Sequence, residues 1–226
     1  MISAIITCAG NGCRFGHNKL MFPLAGKPVF IRTVEQFFHS GSVDEIIIAV
    51  RKEEIRKYNG LLRKEGLEAK LVEGGQERHL SAYNGIKQSR GEFILIHDGA
   101  RPLVSPKLIK RVVEEVKKHQ AVMTAAEALT CVKYVEDQFV KKCLPRFNTW
   151  LGQTPHAFAR EIIIKAYKKA LGDNFIGMDD CDFVTRLGIK VKIVPGEQSN
   201  IKITLPQDLA IAQLFYQKIY QGEENV

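Results

Sequence analysis

The sequence predicts an α/β fold: a Rossmann-like three-layer sandwich on a mainly parallel twisted sheet, with a projecting β-hairpin arm. Three observations predict it. Short apolar runs of strand length alternate with amphipathic stretches, the order that a parallel sheet covered by helices requires. The first run, Ile2 to Cys8, breaks into a glycine-containing polar loop, and such loops sit at a sheet's carboxyl edge, where ligands bind. Between Thr130 and Cys143 the periodicity changes to two, which suits a hairpin rather than another crossover.

Each element has its own local reason. Ile2 to Cys8, Glu45 to Val50 and Phe93 to His97 are apolar and too short for helices, so they read as buried strands. Pro28 to Phe38 carries a helical pattern. Ser105 to Lys118 does so with clear signals: Ser105 can cap, Pro106 suits the first turn, and Leu108, Ile109, Val112, Val113 and Val116 share one face. Glu73-Gly74-Gly75-Gln76-Glu77-Arg78 falls between a strand and a helix. Val132, Tyr134 and Val140 flank Glu136-Asp137-Gln138 in the hairpin. Pro206 opens a last helix through Tyr220, with Leu209, Ala212, Phe215 and Ile219 on one face and a frayed tail beyond. One domain is expected over residues 1–226, with the arm an excursion at about 129–155 that packs on a partner subunit or covers the site.

Composition bounds the function classes. With 226 residues, 45% hydrophobic and 26% charged, the chain reads as an ordinary soluble globular protein. No apolar run approaches the ~18 residues of a membrane span, and the start lacks a basic secretory signal, so no membrane partner and a cytoplasmic location are expected. Five cysteines, odd in number and without paired zinc-ligand spacing, read as free thiols. The net charge of +8 favours phosphorylated partners without separating a nucleic acid from a small phosphate ester.

The loop Ala9-Gly10-Asn11-Gly12-Cys13-Arg14-Phe15-Gly16-His17-Asn18-Lys19 points to a polyphosphate. Its glycines let backbone N–H groups approach an anion, and Arg14 and Lys19 add two full charges. It is not a Walker loop, since Lys19 precedes Leu20 instead of Ser or Thr, and the glycine spacing misses the dinucleotide fingerprint. Asp98 and Arg101, in His97-Asp98-Gly99-Ala100-Arg101-Pro102, follow a strand; an aspartate there suits a phosphate-bridging Mg²⁺ and an arginine another phosphate. Gly74 and Gly75 permit a base or sugar against the backbone. Lys202, in Asn200-Ile201-Lys202-Ile203-Thr204, is read as held in one direction by an alternating strand.

Together these motifs resemble the 2-C-methyl-D-erythritol 4-phosphate cytidylyltransferases, the CTP-using enzymes of the non-mevalonate isoprenoid pathway, over nearly the whole chain. The family's Ala-Ala-Gly-x-Gly-x-Arg loop matches Cys8 to Arg14, its loop lysine Lys19, its His-Asp-x-Ala-Arg-Pro His97 to Pro102, and its Asn-x-Lys-x-Thr Asn200 to Thr204. Asp179-Asp180 resembles the family's acidic pair. The resemblance implies that Arg14, Lys19 and Lys202 neutralise the triphosphate and the developing charge. It implies a nucleotide site of Cys8, Ala9, Gly10, Asn11, Gly12, Gly75, Gln76, Ser81 and Asp98, with Asp98 placing Mg²⁺. Arg101 and Arg146 would grip the second substrate's phosphate. The family is a homodimer whose arm reaches across, so Arg146 and Thr154 would act in the neighbour's site.

Transfer of CMP to a polyol phosphate needs no protein nucleophile, so His17, His79 and His97 read as structural or peripheral. Two departures stand out. Cys8 replaces an alanine, and Thr130-Cys131 falls where the family has an Asp-Thr pair whose threonine faces the polyol phosphate, so the resemblance implies that Cys131 stands at that substrate-binding position; Lys133 still aligns with the family's lysine. Ribitol 5-phosphate cytidylyltransferases share the framework, so ribitol 5-phosphate is the alternative second substrate, while the whole-chain resemblance favours 2-C-methyl-D-erythritol 4-phosphate. Another sugar-phosphate nucleotidyltransferase is the wider alternative. A non-catalytic RNA-binding domain would explain the charge but would not require Asp98 beside Arg101, and no nucleic-acid partner is expected.

Overall fold

β1 (Ile2–Thr7) is covered on both faces. Ile2, Ala4 and Ile6 point into one buried layer while Ile5 points into the other, as a strand inside a three-layer sandwich must. The structure is a computed structural model and describes residues 1–10, 15 and 18–220. The chain continues through a small ribbon of β2 (Pro23–Leu24) and β3 (Lys27–Pro28), then α1 (Val29–His39), β4 (Glu45–Val50), α2 (Ile55–Lys64), β5 (Lys70–Glu73), α3 (Arg78–Gln88) and β6 (Phe93–Asp98). α4 (Pro106–His119) starts as its sequence signals predict: Ser105 Oγ accepts from Leu108 N at 3.0 Å with Pro106 in the first turn. β7 (Ala121–Glu127), β8 (Val132–Glu136), β9 (Phe139–Leu144), β10 (Trp150–Ala159), α5 (Arg160–Gly172), α6 (Asp180–Thr185), β11 (Lys192–Pro195) and α7 (Pro206–Tyr220) follow.

Among the described residues, seven strands form one sheet in the order β11-β7-β10-β6-β1-β4-β5. All run parallel except β10, which lies antiparallel between β6 and β7. Residues of α1, α2, α4 and α7 cover one face and those of α3, α5 and α6 the other, which is the predicted sandwich. The chain leaves β1 toward β4 on one side and returns after β5 to β6 on the other. The carboxyl ends of β1 and β6 therefore flank a topological switch point, where an open α/β sheet has its crevice.

The hairpin is present. Among the described residues β8 and β9 pair only with each other, through a two-residue turn at Asp137 and Gln138 with φ of 49° and 68°, the left-handed values a tight hairpin turn needs. Tyr134, Val135, Phe139, Val140 and Phe147 are exposed on and beside it. The excursion is shorter than the expected 129–155, because from Trp150 onward the chain is already paired with β7. Asn200–Thr204 departs from expectation too: it is not a strand. A single backbone bond, Ile203 N to the Ala100 carbonyl at 2.9 Å, holds it beside the loop after β6.

Candidate active site

A cleft of about 310 Å³ opens at the switch point. Its walls include Ala9, Gly10, Lys19, Gly75, Gln76, Ser81, Asp98 and Lys202, eight of the positions expected from sequence, drawn from four separate stretches of chain. Lys19 opens a short 3₁₀ turn whose cap is fixed: Asn18 Oδ1 accepts from Leu20 N at 3.2 Å, and its amide donates to Glu54 Oε1 at 2.8 Å. Ser81 shapes the opposite wall by accepting from Gly75 N at 3.1 Å. Gly74 has to be glycine here, since a Cβ on it would stand 2.4 Å from the Ala9 Cβ, and this closeness brings the two glycine-containing loops together. Lys202 and Thr204 line the cleft while Ile203 between them is buried, so the alternation expected of a strand survives in an irregular segment.

Asp98 ends β6 at the floor of the cleft. Its carboxylate accepts from Arg78 Nε at 2.7 Å, lies 2.8 Å from Lys202 Nζ, and is 3.8 Å from Arg101 Nε. Burial alone would raise its pKa, but Arg78, Lys202 and Arg101 outweigh that and hold it well below the usual carboxylate range. Arg78 is the residue that sequence reasoning missed. At the first position of α3 it spans two carboxylates, Asp98 on one side and Asp180 Oδ2 at 3.0 Å on the other, while its Nη2 is buried without a hydrogen bond. Asp180 in turn accepts from the Tyr167 hydroxyl at 2.5 Å and meets His156 Nδ1 at 3.0 Å. Asp179 caps α6 through Cys181 N at 2.8 Å and Asp182 N. The signal for Arg78 was its place three residues after Gly75, at the start of a helix that follows a Gly-Gly turn.

Several expected site residues lie elsewhere. The Cys8 side chain is buried in the core, and burial followed by the Asp98 charge pushes its thiol pKa up, so it does not line the cleft. Arg101 donates to the Asn200 carbonyl at 2.7 Å and to the Gly152 carbonyl of β10 at 3.2 Å, so it clamps the 200–204 segment against β10 and is not among the residues that line the cleft. Thr154 is buried in its own subunit, where its hydroxyl accepts from Asp98 N at 3.1 Å and contacts His97 Nδ1 at 3.0 Å. It is therefore not available to a neighbour's site. Cys131 and Arg146 are exposed on the arm, away from the cleft walls. Asn11, Gly12, Arg14 and His17 lie outside the described residues. His97 is fully buried, and desolvation brings its pKa down to about 3, so it is a neutral structural residue as read.

Residues 2–218 match the sequence model of the 2-C-methyl-D-erythritol 4-phosphate cytidylyltransferase family. The chain belongs to this family. A 2-C-methyl-D-erythritol 4-phosphate cytidylyltransferase of Caldanaerobacter subterraneus is 38% identical over 225 residues, covering 96% of this chain and 99% of its own. One from Clostridioides difficile is 36% identical over 100% of this chain and 98% of its own. Among solved structures, the 4-diphosphocytidyl-2C-methyl-D-erythritol synthase of Anaerococcus prevotii superposes with a TM-score of 0.87 at 33% identity, covering 96% of this chain and 98% of that one. The superposition shows that the chain shares its fold with this structure. Among the described residues no helix is long and apolar enough to cross a membrane.

Proposed function

We propose that this protein transfers CMP from CTP to 2-C-methyl-D-erythritol 4-phosphate and releases pyrophosphate, with residues 1–226 acting as one nucleotidyltransferase domain. The observation that carries the reading is the cleft itself: two glycine-containing loops approach each other at the switch point, and Lys19, Arg78 and Lys202 place cations on its walls. A triphosphate lies across those loops, and the phosphate oxygen of the polyol attacks the α-phosphorus in line as pyrophosphate leaves. No protein nucleophile is needed, and the residues act by positioning and by stabilising charge. Lys19 and Arg14 neutralise the triphosphate. Gly75, Gln76 and Ser81 frame the cytosine and ribose. Lys202 holds the reacting phosphates.

Asp98 and Glu77 are the carboxylates on the cleft wall among the described residues, and Asp98 carries Lys202 on one oxygen and Arg78 on the other. A carboxylate at the cleft floor suits a hard cation such as Mg²⁺, which Asp98 would hold together with phosphate oxygens. Bound there, the cation would reduce the repulsion between phosphates. The exposed apolar arm supports a homodimer in which Arg146 reaches the neighbour's substrate, and the free cysteines support a cytoplasmic location.

Purified protein with CTP and Mg²⁺ tests this when each polyol phosphate is offered in turn and pyrophosphate release is followed. A kcat/KM for 2-C-methyl-D-erythritol 4-phosphate about tenfold or more above that for ribitol 5-phosphate is expected. The reverse preference overturns the substrate while leaving cytidylyl transfer in place, and turnover with neither overturns both.

A further inference from the structure

Three reactive side chains meet on one face of the arm. Lys133 on β8 pairs directly with Cys143 on β9, and Cys131 precedes Lys133 by two residues, so strand alternation puts all three on the same side. The Lys133 ammonium lies 3.0 Å from Cys143 Sγ and 3.5 Å from Cys131 Sγ, and the two sulfurs can be no farther apart than those distances together. Both thiols are exposed, in contrast to Cys8 and Cys181, whose thiols burial pushes up and keeps protonated. The thiolate is the form that reacts with peroxides and disulfides, and the Lys133 ammonium stands within hydrogen-bond distance of both sulfurs. Cys131 lies one residue outside the hairpin ladder, which begins at Val132, so its backbone has no ladder bond to break when it moves.

We propose that Cys131 and Cys143 are a modification site: a thiol pair on the arm that a hydroperoxide converts to a reversible intrachain disulfide. The Cys143 thiolate, nearer the ammonium, attacks one peroxide oxygen. The O–O bond breaks, water leaves after protonation, and Cys143 is a sulfenic acid. The Cys131 thiolate then attacks that sulfur, the S–O bond breaks, and a second water leaves. Two thiols have lost two electrons and two protons, and one hydrogen peroxide has become two waters. A dithiol reverses the change by exchange. The new bond displaces Lys133 from between the sulfurs. If the arm serves the polyol phosphate as proposed above, oxidation also raises KM for that substrate and not for CTP. This second consequence rests on the proposed function, whereas the disulfide does not.

The test is to treat the full chain with hydrogen peroxide, block remaining thiols with an alkylating agent, and map tryptic peptides without reduction. Trypsin releases Cys131 in residues 119–133 and Cys143 in residues 143–146. The expected result is a linked pair of these peptides, restored to two free thiols by dithiothreitol, forming while Cys8 and Cys181 stay unmodified. Lys133→Gln, on the exposed hairpin, should keep its urea midpoint and slow thiol loss by about threefold or more. Independent oxidation of the two cysteines to sulfinic or sulfonic acids, or cross-links between chains, overturns the proposal. Kinetics separate the two layers, with Cys143→Ser as the peroxide-treated control. A disulfide with unchanged KM for the polyol phosphate overturns only the link to substrate. Absence of turnover before oxidation counts against the proposed function and leaves the disulfide standing.

Discussion

Asp98 shows what a single buried carboxylate organises. Held ionised by Arg78, Lys202 and Arg101, it fixes cations from three separate stretches around one floor, and the cleft's net positive character follows. Lys19 adds its charge to the cleft wall. On the proposed function its removal deletes a donor to the charge that grows at the α-phosphorus, so Lys19→Ala is expected to lower kcat by about 10²-fold with folding intact, measured by pyrophosphate release. Near-normal release from a folded variant would remove Lys19 from the chemistry.

His97 carries a pH prediction at the same scale. Desolvation holds it neutral in the fold, with a pKa of about 3, while the unfolded chain takes up the proton near the ordinary 6.5. The unfolded state therefore binds more protons below that value, and stability falls as pH drops from about 6.5 toward 3. Asp98 and Asp180, both held low, add their loss only below the ordinary carboxylate range. Between pH 6.5 and 4.5 the histidine should cost about 2–3 kcal/mol, and His97→Gln should flatten that slope in urea titrations. An equal slope in both proteins would assign the acid sensitivity to other groups.

At the scale of elements, the cleft depends on how closely the loops after β1 and β5 approach. Gly74 sets that approach, because a Cβ on it would meet the Ala9 Cβ at 2.4 Å and the Val50 carbonyl at 3.4 Å. Gly74→Ala is expected to push the loops apart, costing about 1–3 kcal/mol as overpacking does and raising KM for CTP. Denaturation and initial-rate kinetics check both; a variant unchanged in each would show that the loops tolerate a wider separation. The bulge between Gln153 and His156 in β10 has a different consequence. It turns Thr154 toward His97 and the Asp98 backbone and His156 toward Asp180, so an antiparallel strand braces the floor of the site.

For the whole molecule, the arm gathers exposed apolar side chains in one place: among the described residues, Tyr134, Val135, Phe139, Val140 and Phe147 are about half exposed or more within the subunit. Arg146, beside them and away from the cleft walls, reaches a site only if another subunit supplies it. In the proposed homodimer, mixing Lys19→Ala subunits with Arg146→Ala subunits is expected to restore part of the activity that each lacks alone, since one site of a mixed dimer would have both groups intact. Mixed dimers without recovery would place Arg146 outside the shared site.

By itself the sequence determined what depends on neighbours along the chain. The strand at Ile2–Thr7, the capped helix at Pro106–His119, the hairpin turn at Asp137-Gln138 and the glycine loops were legible because periodicity, caps and turn residues act within a few positions. The identity of the cleft residues was legible as chemistry: a lysine or aspartate after an apolar strand has few reasons to be there. Only the tertiary structure decided which charges meet. Arg78 reaches Asp180 across 102 positions and Arg101 reaches Asn200 across 99, and no local pattern records either pairing. That is why Arg78 went unread and Arg101 was assigned to a substrate. The same holds for β10 entering the sheet against the direction of its neighbours, and for Thr154 facing inward. Burial forces each polar group to find a partner, and which partner lies within reach is fixed by how the layers pack.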